Sequence, residues 1–201
     1  MQFIDEEIFL LAPNDYRVMP WKNGGGTTRE ILVHPSDTDD FDWRLSIADI
    51  NTDGPFSAFP GYARTIMLLE GNGMRLQMDD APPVEVTGKH RPVNFDGDSR
   101  THCTLMDGPV RDFNIMTSKA LASHRCQIID TFPFSADISD DIDALAIFTL
   151  QGETRLHLSG TATVTLREHC TLLLAAPRRL RRVAATPESK ALLISLVRTP
   201  S

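Results

Sequence analysis

Short β-prone segments separated by turn residues recur throughout the chain. In the second half they follow one another at intervals of roughly ten residues, the spacing typical of β-sandwiches and β-barrels; residues 144–150 and 192–197 are examples. In the first half the segments alternate polar and apolar side chains with the period of two that a strand imposes. With 201 residues, 41% of them hydrophobic, the chain can bury a core as one large β domain or two small ones. We therefore predict an all-β protein.

The densest combination of chemically distinct residues is the stretch 21–30, WKNGGGTTRE. Its three consecutive glycines let the backbone adopt positive φ and approach a ligand or another chain closely. A hairpin turn would use the same glycines, so they leave both interpretations open. Beyond them, Thr28 and Glu30 lie on one face of a predicted strand and Arg29 lies on the other.

Four predicted strands of the first half carry polar groups at alternate positions. These positions are Thr28 and Glu30, Arg44 and Ser46, Arg64, and Asp112 and Asn114. An ordinary antiparallel sheet with one solvated face gives the same alternation. Here, however, arginine and asparagine donors are mixed with carboxylate acceptors, beside corners rich in glycine, proline and phenylalanine such as residues 54–61. Because small-molecule sites combine apolar walls with a few convergent polar groups, the pattern favours a lined pocket.

The motifs that carry these residues resemble the HutD/Ves family over about half of the chain. They are residues 21–31, 43–48, 54–61, Arg64 with residues 68–71, and residues 112–116. The resemblance implies a bacterial, cytoplasmic protein of the cupin superfamily, all-β and built from two β-barrels (a bicupin). It also implies a link to histidine utilisation in some members and to stress responses in others, with no enzymatic activity firmly attached.

A change in composition divides the chain near its middle. All Trp and Tyr residues precede residue 63, and ten of the twelve glycines lie at or before Gly108. From about residue 121 the sequence consists of plainer apolar segments. Together with the two barrels that the resemblance implies, this change leads us to expect an N-terminal cupin-like barrel with the ligand pocket at residues 1–120 and a C-terminal cupin-like barrel at residues 121–201.

The resemblance to cupins raises the question of a metal centre. Laid against this chain from Gly54, the histidine positions of the cupin metal motif fall on Pro60 and Tyr62, and the glutamate position falls near Ile66 or Met67. None of these side chains is a transition-metal ligand of the imidazole or carboxylate type. The six histidines are scattered, and the three cysteines form no Cys-x-x-Cys pair. We predict neither a metal nor another cofactor.

Charge and hydropathy exclude further partner classes. A net charge of −7 argues against binding to nucleic acid, whose phosphates attract basic surfaces; the arginine-rich residues 178–182 are the local exception and are interpreted as a solvated segment. The acidic residues 135–143 are expected to form a solvated loop. The first residues are acidic where a secretory signal would be basic, and no apolar run approaches the roughly 18 residues of a membrane span. We expect a cytoplasmic protein without membrane contact, and a homodimer is left open.

The polar set of the first half predicts a partner that is a small anionic metabolite. Arg44, Arg64 and Lys22 would meet a carboxylate, because guanidinium groups match its geometry, while Trp21 and Phe59 would cover the apolar part. The full set of predicted ligand-binding residues is Trp21, Lys22, Asn23, Gly26, Thr28, Glu30, Arg44, Ser46, Phe59, Arg64, Asp112 and Asn114.

Two functional hypotheses follow. The resemblance implies a regulator or sensor linked to histidine utilisation, with urocanate or formylglutamate as the ligand class, or a stress-induced protein of the Ves branch. The alternative is a metal-independent enzyme, an isomerase or hydrolase, with Glu30 or Asp112 as general base. We favour the binding protein, because the sequence shows no recognisable pair of nucleophile and base.

Overall fold

The computed structural model of the chain describes residues 2–5, 8–36, 40–131, 133–158, 163–175, 182–185 and 189–199. Its contacts group into two compact units. We call Tyr16–Ala122 the pocket barrel, and Met1–Asp15 together with Ser123–Ser201 the second barrel. Apart from one 3-10 turn at Pro13–Asp15, the regular elements found in these ranges are all strands, so the all-β prediction is confirmed.

Twenty strands are present in the described part of the chain. Numbered from the N-terminus, they are β1 Gln2–Asp5, β2 Ile8–Leu11, β3 Arg17–Pro20, β4 Gly26–His34, β5 Trp43–Ile50, β6 Gly54–Pro55, β7 Tyr62–Glu70, β8 Met74–Met78, β9 Val84–Val86, β10 Val93–Asp96, β11 Thr101–Leu105, β12 Val110–Ser118, β13 Ala122–Ile129, β14 Phe134–Asp137, β15 Ile142–Gln151, β16 Glu153–Leu158, β17 Val164–Arg167, β18 Thr171–Ala175, β19 Arg182–Ala185 and β20 Lys190–Arg198.

The pocket barrel is built from a six-stranded and a four-stranded sheet. Their strand orders are β10-β7-β12-β5-β4-β3 and β6-β11-β8-β9. The central strand β12 pairs antiparallel with β5 and with β7, so that Asn114 lies opposite Ser46 on one side and Ile66 on the other. This register places the alternate polar residues of three strands on the same face of the sheet.

An apolar core fills much of the pocket barrel. Its buried members come from both sheets and are Ala48, Ile50, Ile66, Leu68, Met74, Leu76, Val86, Phe95, Cys103 and Val110. Ala48 and Ile50 continue the face of Ser46, and Ile66 and Leu68 continue the face of Arg64, because each is two or four residues further along its strand. The polar positions therefore line an interior wall of the barrel, next to its core.

The second barrel repeats this combination of sheets with a different interior. Its strand orders are β1-β2-β18-β15-β20-β13 and β14-β19-β16-β17. Its core is aliphatic, with Leu145, Ile147, Leu156 and Leu172 among its buried members. The buried Thr149, Thr154 and Ser189 satisfy one another: the Thr149 hydroxyl bonds that of Thr154 (3.1 Å), which bonds that of Ser189 (3.0 Å).

The N-terminal strands account for a difference from the predicted division at residue 120. Strand β2 pairs antiparallel with β18, with Leu11 opposite Thr171 and Ile8 opposite Leu174. Residues 1–15 therefore group with the C-terminal half of the chain. The local sequence does not predict a pairing between such distant segments, because hydrophobic alternation identifies a strand but not its partner.

Two predicted solvated segments have different outcomes. Part of the acidic stretch 135–143 belongs to strands: β14 pairs with β19, and Ile138 is buried in the second barrel. The expectation of a plain loop is therefore wrong for these residues, since alternate apolar side chains reach the core while the aspartates point outward. Residues 178–181 of the arginine-rich stretch lie outside the described residues. No helix of the described chain is long and apolar enough to cross a membrane.

Candidate functional site

A cavity of about 570 Å³ opens into the pocket barrel. Its volume suits a small organic molecule. It is lined by residues of strands β4, β5, β6, β7 and β12, of the hairpin loop before β4 and of the corner after β6: Trp21, Lys22, Asn23, Thr28, Arg44, Ser46, Ala48, Ile50, Pro55, Phe56, Ser57, Phe59, Arg64, Asp112, Asn114 and Met116.

The structure brings together every predicted ligand-binding residue except Gly26 and Glu30. The residues that sequence reasoning missed are Ala48, Ile50, Pro55, Phe56, Ser57 and Met116. The period of two would have found three of these, because Ala48 and Ile50 share a face with Ser46, and Met116 shares one with Asn114. The corner residues Pro55, Phe56 and Ser57 have no such signal, since their positions depend on how the loop folds back over the cavity.

The glycine-rich stretch is the loop of the β3–β4 hairpin, and it places Trp21 at the cavity. The Trp21 amide donates to the Gly26 carbonyl (2.9 Å), and the indole Nε1 donates to the Thr28 hydroxyl (2.8 Å). A Cβ atom at Gly26 would collide with the Asp49 carbonyl oxygen and lie 3.0 Å from the Trp21 ring. Gly26 therefore packs closely against the indole ring of Trp21 and does not itself line the cavity.

Glu30 also acts from outside the cavity. Its carboxylate accepts a hydrogen bond from Arg44 Nε at 2.8 Å, and Arg17 Nη1 approaches it at 3.8 Å. Both side chains of the Glu30–Arg44 pair are largely buried, with 12% and 14% of their surfaces exposed. Glu30 thus orients Arg44 and offsets its charge, and it is not positioned as a general base on a cavity ligand.

Arg64 is the most deeply placed cation of the cavity. It is 6% exposed, and its guanidinium carbon lies 5.7, 5.4 and 4.7 Å from the ring centres of Phe56, Phe59 and Phe95. Its Nη1 donates to the Ser57 carbonyl oxygen at 3.3 Å. Burial lowers the pKa of Arg64 to about 10. The negative charge of Asp112 counteracts this decrease, and the positive charge of Arg44 adds to it. It therefore stays protonated at neutral pH.

Asp112 lies on the strand next to Arg64 and is 1% exposed. Burial raises the pKa of Asp112 to about 7; the charge of Arg64 counteracts this rise, and that of Asp49 adds to it. Near neutral pH the side chain is therefore divided between its acid and its carboxylate. Asn114, two residues further along the same face, is 8% exposed.

Three buried polar atoms of this wall have no hydrogen-bond partner among the described residues. They are Arg64 Nε, Asp112 Oδ1 and Asn114 Oδ1. Buried polar atoms in native proteins are nearly always satisfied, so each exception calls for an explanation. All three belong to residues that line the one cavity described above. The cavity thus offers one unused donor and two unused acceptors to whatever occupies it.

The cavity residues do not fit a metal. The described chain contains no group of three or more His, Cys, Asp or Glu side chains placed to hold an ion. The positions of the cupin motif serve other roles: the Tyr62 hydroxyl accepts a hydrogen bond from the Phe41 amide (3.1 Å), and Ile66 packs in the core. The chemistry of this site rests on guanidinium, carboxyl, amide and aromatic groups.

Known proteins resemble the chain at the level of sequence. The family model for HutD matches residues 13–193. A 21.2 kDa protein from the hutC 3′ region of Pseudomonas putida is 43% identical over 131 residues, which are 62% of this chain and 65% of that protein. Protein Ves of Citrobacter koseri is 42% identical over 120 residues, 58% of this chain and 62% of Ves. Each alignment thus spans less than two thirds of the relative.

Solved structures extend the similarity to nearly the whole chain. HutD from Pseudomonas fluorescens SBW25, solved in a formate condition, has a TM-score of 0.84 at 33% identity, covering 96% of this chain and all of HutD (100%). Hazelnut vicilin, with a TM-score of 0.61 and 7% identity over 96% of this chain and 87% of its own, shares the fold alone. The predicted cupin-like fold of two β-barrels is therefore confirmed, and the chain belongs to the HutD family.

Proposed function

We propose that this protein binds a small carboxylate metabolite in the cavity of its pocket barrel, with Arg64 as the principal anchor. The observation that carries the proposal is a buried, protonated guanidinium whose Nε has no partner in the described structure. Burying such a charge is costly unless it is paired. A carboxylate supplies both the missing acceptor and the opposite charge, and guanidinium is well matched to carboxylate geometry.

The remaining lining residues support the same ligand class. Arg44 adds a second cation, held in place by Glu30, and Lys22 adds a third near the exposed part of the cavity. The aromatic rings of Trp21, Phe56 and Phe59 provide apolar surface for the body of the ligand. A cavity with this combination retains an organic acid better than an inorganic anion, because the apolar walls add hydrophobic burial to the ionic contact.

Urocanate and formylglutamate are the leading ligands. The resemblance to HutD implies a link with histidine utilisation, and one relative is described by its location beside hutC. In this proposal the protein is a cytoplasmic sensor or regulator whose occupancy by such a metabolite alters a downstream output. The sequence identity to Ves is similar to that with the hutC-region protein, so a stress-related role is the competing biological assignment. Such a role would leave the carboxylate chemistry of the cavity unchanged, but the ligand would be a different one.

Isothermal calorimetry with urocanate and formylglutamate tests the proposal directly. We expect one of them to bind with a 1:1 stoichiometry to the wild-type protein. A protein that binds neither of them, nor any other small carboxylate in a panel of metabolic acids, would contradict the proposal.

One observation favours a second candidate function, general acid–base catalysis by Asp112. A carboxyl group whose pKa is about 7 is suited to exchange protons at neutral pH. Glu30, the other predicted base, is engaged with Arg44. One observation argues against turnover. Within the described chain, no hydroxyl group that lines the cavity is hydrogen-bonded to a carboxylate or an imidazole, and the Thr28 hydroxyl is instead bonded to Trp21.

Proton NMR of the bound ligand separates binding from catalysis. We expect the ligand to remain unchanged during hours of incubation with the protein. Formation of a product that depends on Asp112, and is lost in Asp112→Asn while binding persists, would establish the catalytic alternative.

A further inference from the structure

A carboxylate bound to Arg64 leaves two buried acceptor atoms of the cavity without a hydrogen-bond donor. Asp112 Oδ1 and Asn114 Oδ1 lie on the same face of β12, both buried, and no described group donates a hydrogen bond to either. A ligand carboxylate cannot satisfy Asn114 Oδ1 or the ionised form of Asp112, because an ionised carboxylate only accepts hydrogen bonds. Whatever satisfies the Asn114 oxygen and the carboxylate of Asp112 must donate.

The charges around Asp112 strengthen the requirement. The charges of Arg64 on β7 and Asp49 on β5 influence Asp112. Arg44 on β5 influences Arg64, and Asp112 in turn influences Cys103 on β11. Arg44 is offset by Glu30, and Asp49 is engaged by Arg29 and Arg111. A simple organic anion on Arg64 therefore adds a second acidic group beside Asp112, and the two groups share one buried guanidinium.

Two N–H groups of the cavity are already engaged within the protein. The indole N–H of Trp21 is used by the Thr28 hydroxyl, and one Arg64 N–H is used by the Ser57 carbonyl. An N–H group on the ligand, in contrast, would supply the missing donor and place partial positive charge next to Asp112. Leaving buried acceptors unpaired costs a site much of its affinity for a ligand that lacks the donor.

We propose that the cavity selects carboxylic acids that also carry an N–H group, such as an imidazole, amide or amine, over acids of the same shape without one. In this arrangement the carboxylate lies on Arg64 and the N–H group faces Asp112 and Asn114. The inference rests on the proposed function, because it requires a carboxylate at Arg64, and it adds the chemical feature that decides which carboxylates are accepted.

Two pairs of isosteric acids test this selectivity in the wild-type protein. The first pair is urocanate and furylacrylate, in which a furan without N–H replaces the imidazole. The second is N-acetylglycine and acetoxyacetate, in which an ester oxygen replaces the amide N–H. Calorimetry should show the N–H member of at least one pair binding about tenfold more tightly, or more, as expected for a hydrogen bond to a buried charged acceptor.

Variants identify the residues responsible. Asp112→Leu and Asn114→Leu remove the acceptors, so each should reduce the preference within the pair by weakening the binding of the member with the N–H group. Circular dichroism checks that the variants fold; should Asp112→Leu fail to fold, Asp112→Asn, which keeps the shape and removes the charge, should still reduce the preference. Asp79→Asn, at an exposed turn away from the cavity, is the control and should keep it.

The outcomes separate the two proposals. Equal binding of both members of each pair, or a preference that survives in Asp112→Leu and Asn114→Leu alike, would overturn the selectivity while leaving carboxylate binding at Arg64 intact. No binding of any of the four acids would overturn the proposed function and the selectivity together.

Discussion

Arg64 and Asp112 project into the same cavity from adjacent antiparallel strands, and the charge of each opposes the effect of burial on the pKa of the other. Burial lowers the pKa of Arg64 and raises that of Asp112, whereas their mutual attraction acts in the reverse direction on both. The pair is therefore less costly than two isolated buried charges, yet each member keeps an unpartnered atom within the described structure.

The first prediction concerns the pH dependence of stability. Burial raises the pKa of Asp112 from 3.8 to about 7, so between these values the folded protein retains a proton that the unfolded chain releases. The contribution of this group to the free energy of unfolding should therefore fall as the pH rises through that window, by on the order of a few kcal/mol. Urea denaturation of the wild type and of Asp112→Asn at several pH values measures it.

In Asp112→Asn this contribution is absent. The difference in free energy of unfolding between variant and wild type should shift in favour of the variant between about pH 5 and about pH 8. Asp79→Asn, at an exposed turn, serves as the control for the loss of a carboxylate. A difference that stays constant over this pH range would show that Asp112 has no raised pKa.

The second prediction concerns Gly26. In Gly26→Ala the new methyl group would meet the Asp49 carbonyl oxygen and the Trp21 ring, so the hairpin loop must shift. We expect a loss of about 1–3 kcal/mol in the free energy of unfolding and weaker ligand binding, because Trp21 leaves the cavity wall. Thermal denaturation and calorimetry measure the two effects.

Gly54→Ala is the matched control, since a Cβ atom at Gly54 has no neighbour within 4 Å. It should change stability by much less than Gly26→Ala. Equal effects of the two substitutions would mean that the close approach of Gly26 to Trp21 and Asp49 does not matter.

The third prediction concerns Glu30. Glu30→Gln removes the charge that orients Arg44 over the cavity (Nε to Oε2, 2.8 Å), which leaves a largely buried guanidinium without its counter-charge. Both stability and affinity for a carboxylate should decrease. Thermal denaturation and calorimetry on the same samples would show it. Loss of a chemical turnover with unchanged affinity would instead restore Glu30 as a catalytic base.

Much of the fold and site was predictable because a strand displays alternate residues on one face. That period identified Arg44, Ser46, Arg64, Asp112 and Asn114 as one polar wall. The same argument placed Glu30 in the cavity, where the structure does not. Glu30 lies opposite Ser46 in the pairing of β4 with β5, but its carboxylate is bound to Arg44. The period does not encode this ion pair.

Other features depend on long-range packing, which patterns in the sequence do not predict. Phe56 and Ser57 line the cavity because two hydrogen bonds hold the corner after β6 in place. The Phe56 amide donates to the Thr101 carbonyl and the Phe59 amide donates to the Gly97 carbonyl, both at 2.9 Å. The unpartnered atoms of Arg64, Asp112 and Asn114 likewise become visible only when every neighbour is placed.

The fourth prediction concerns metals. Since the cupin ligand positions are occupied by Pro60, Tyr62 and the neighbourhood of Ile66, the protein purified without chelator should contain no stoichiometric zinc, iron, manganese or nickel. Elemental analysis after dialysis measures this. One equivalent of any of these metals would contradict the expectation and require ligands that the described residues do not supply.

The central claim is that a buried arginine holds a carboxylate ligand, and one calorimetric comparison tests it most directly. Urocanate, formylglutamate and N-acetylglycine are titrated into the wild type, into Arg64→Met and into Arg75→Met, whose arginine pairs with Glu85 outside the cavity. The account predicts binding to the wild type and to Arg75→Met, and a loss of about tenfold to a hundredfold in Arg64→Met, with the fold retained. Undiminished binding to Arg64→Met, or a wild type that binds none of these acids, would contradict it.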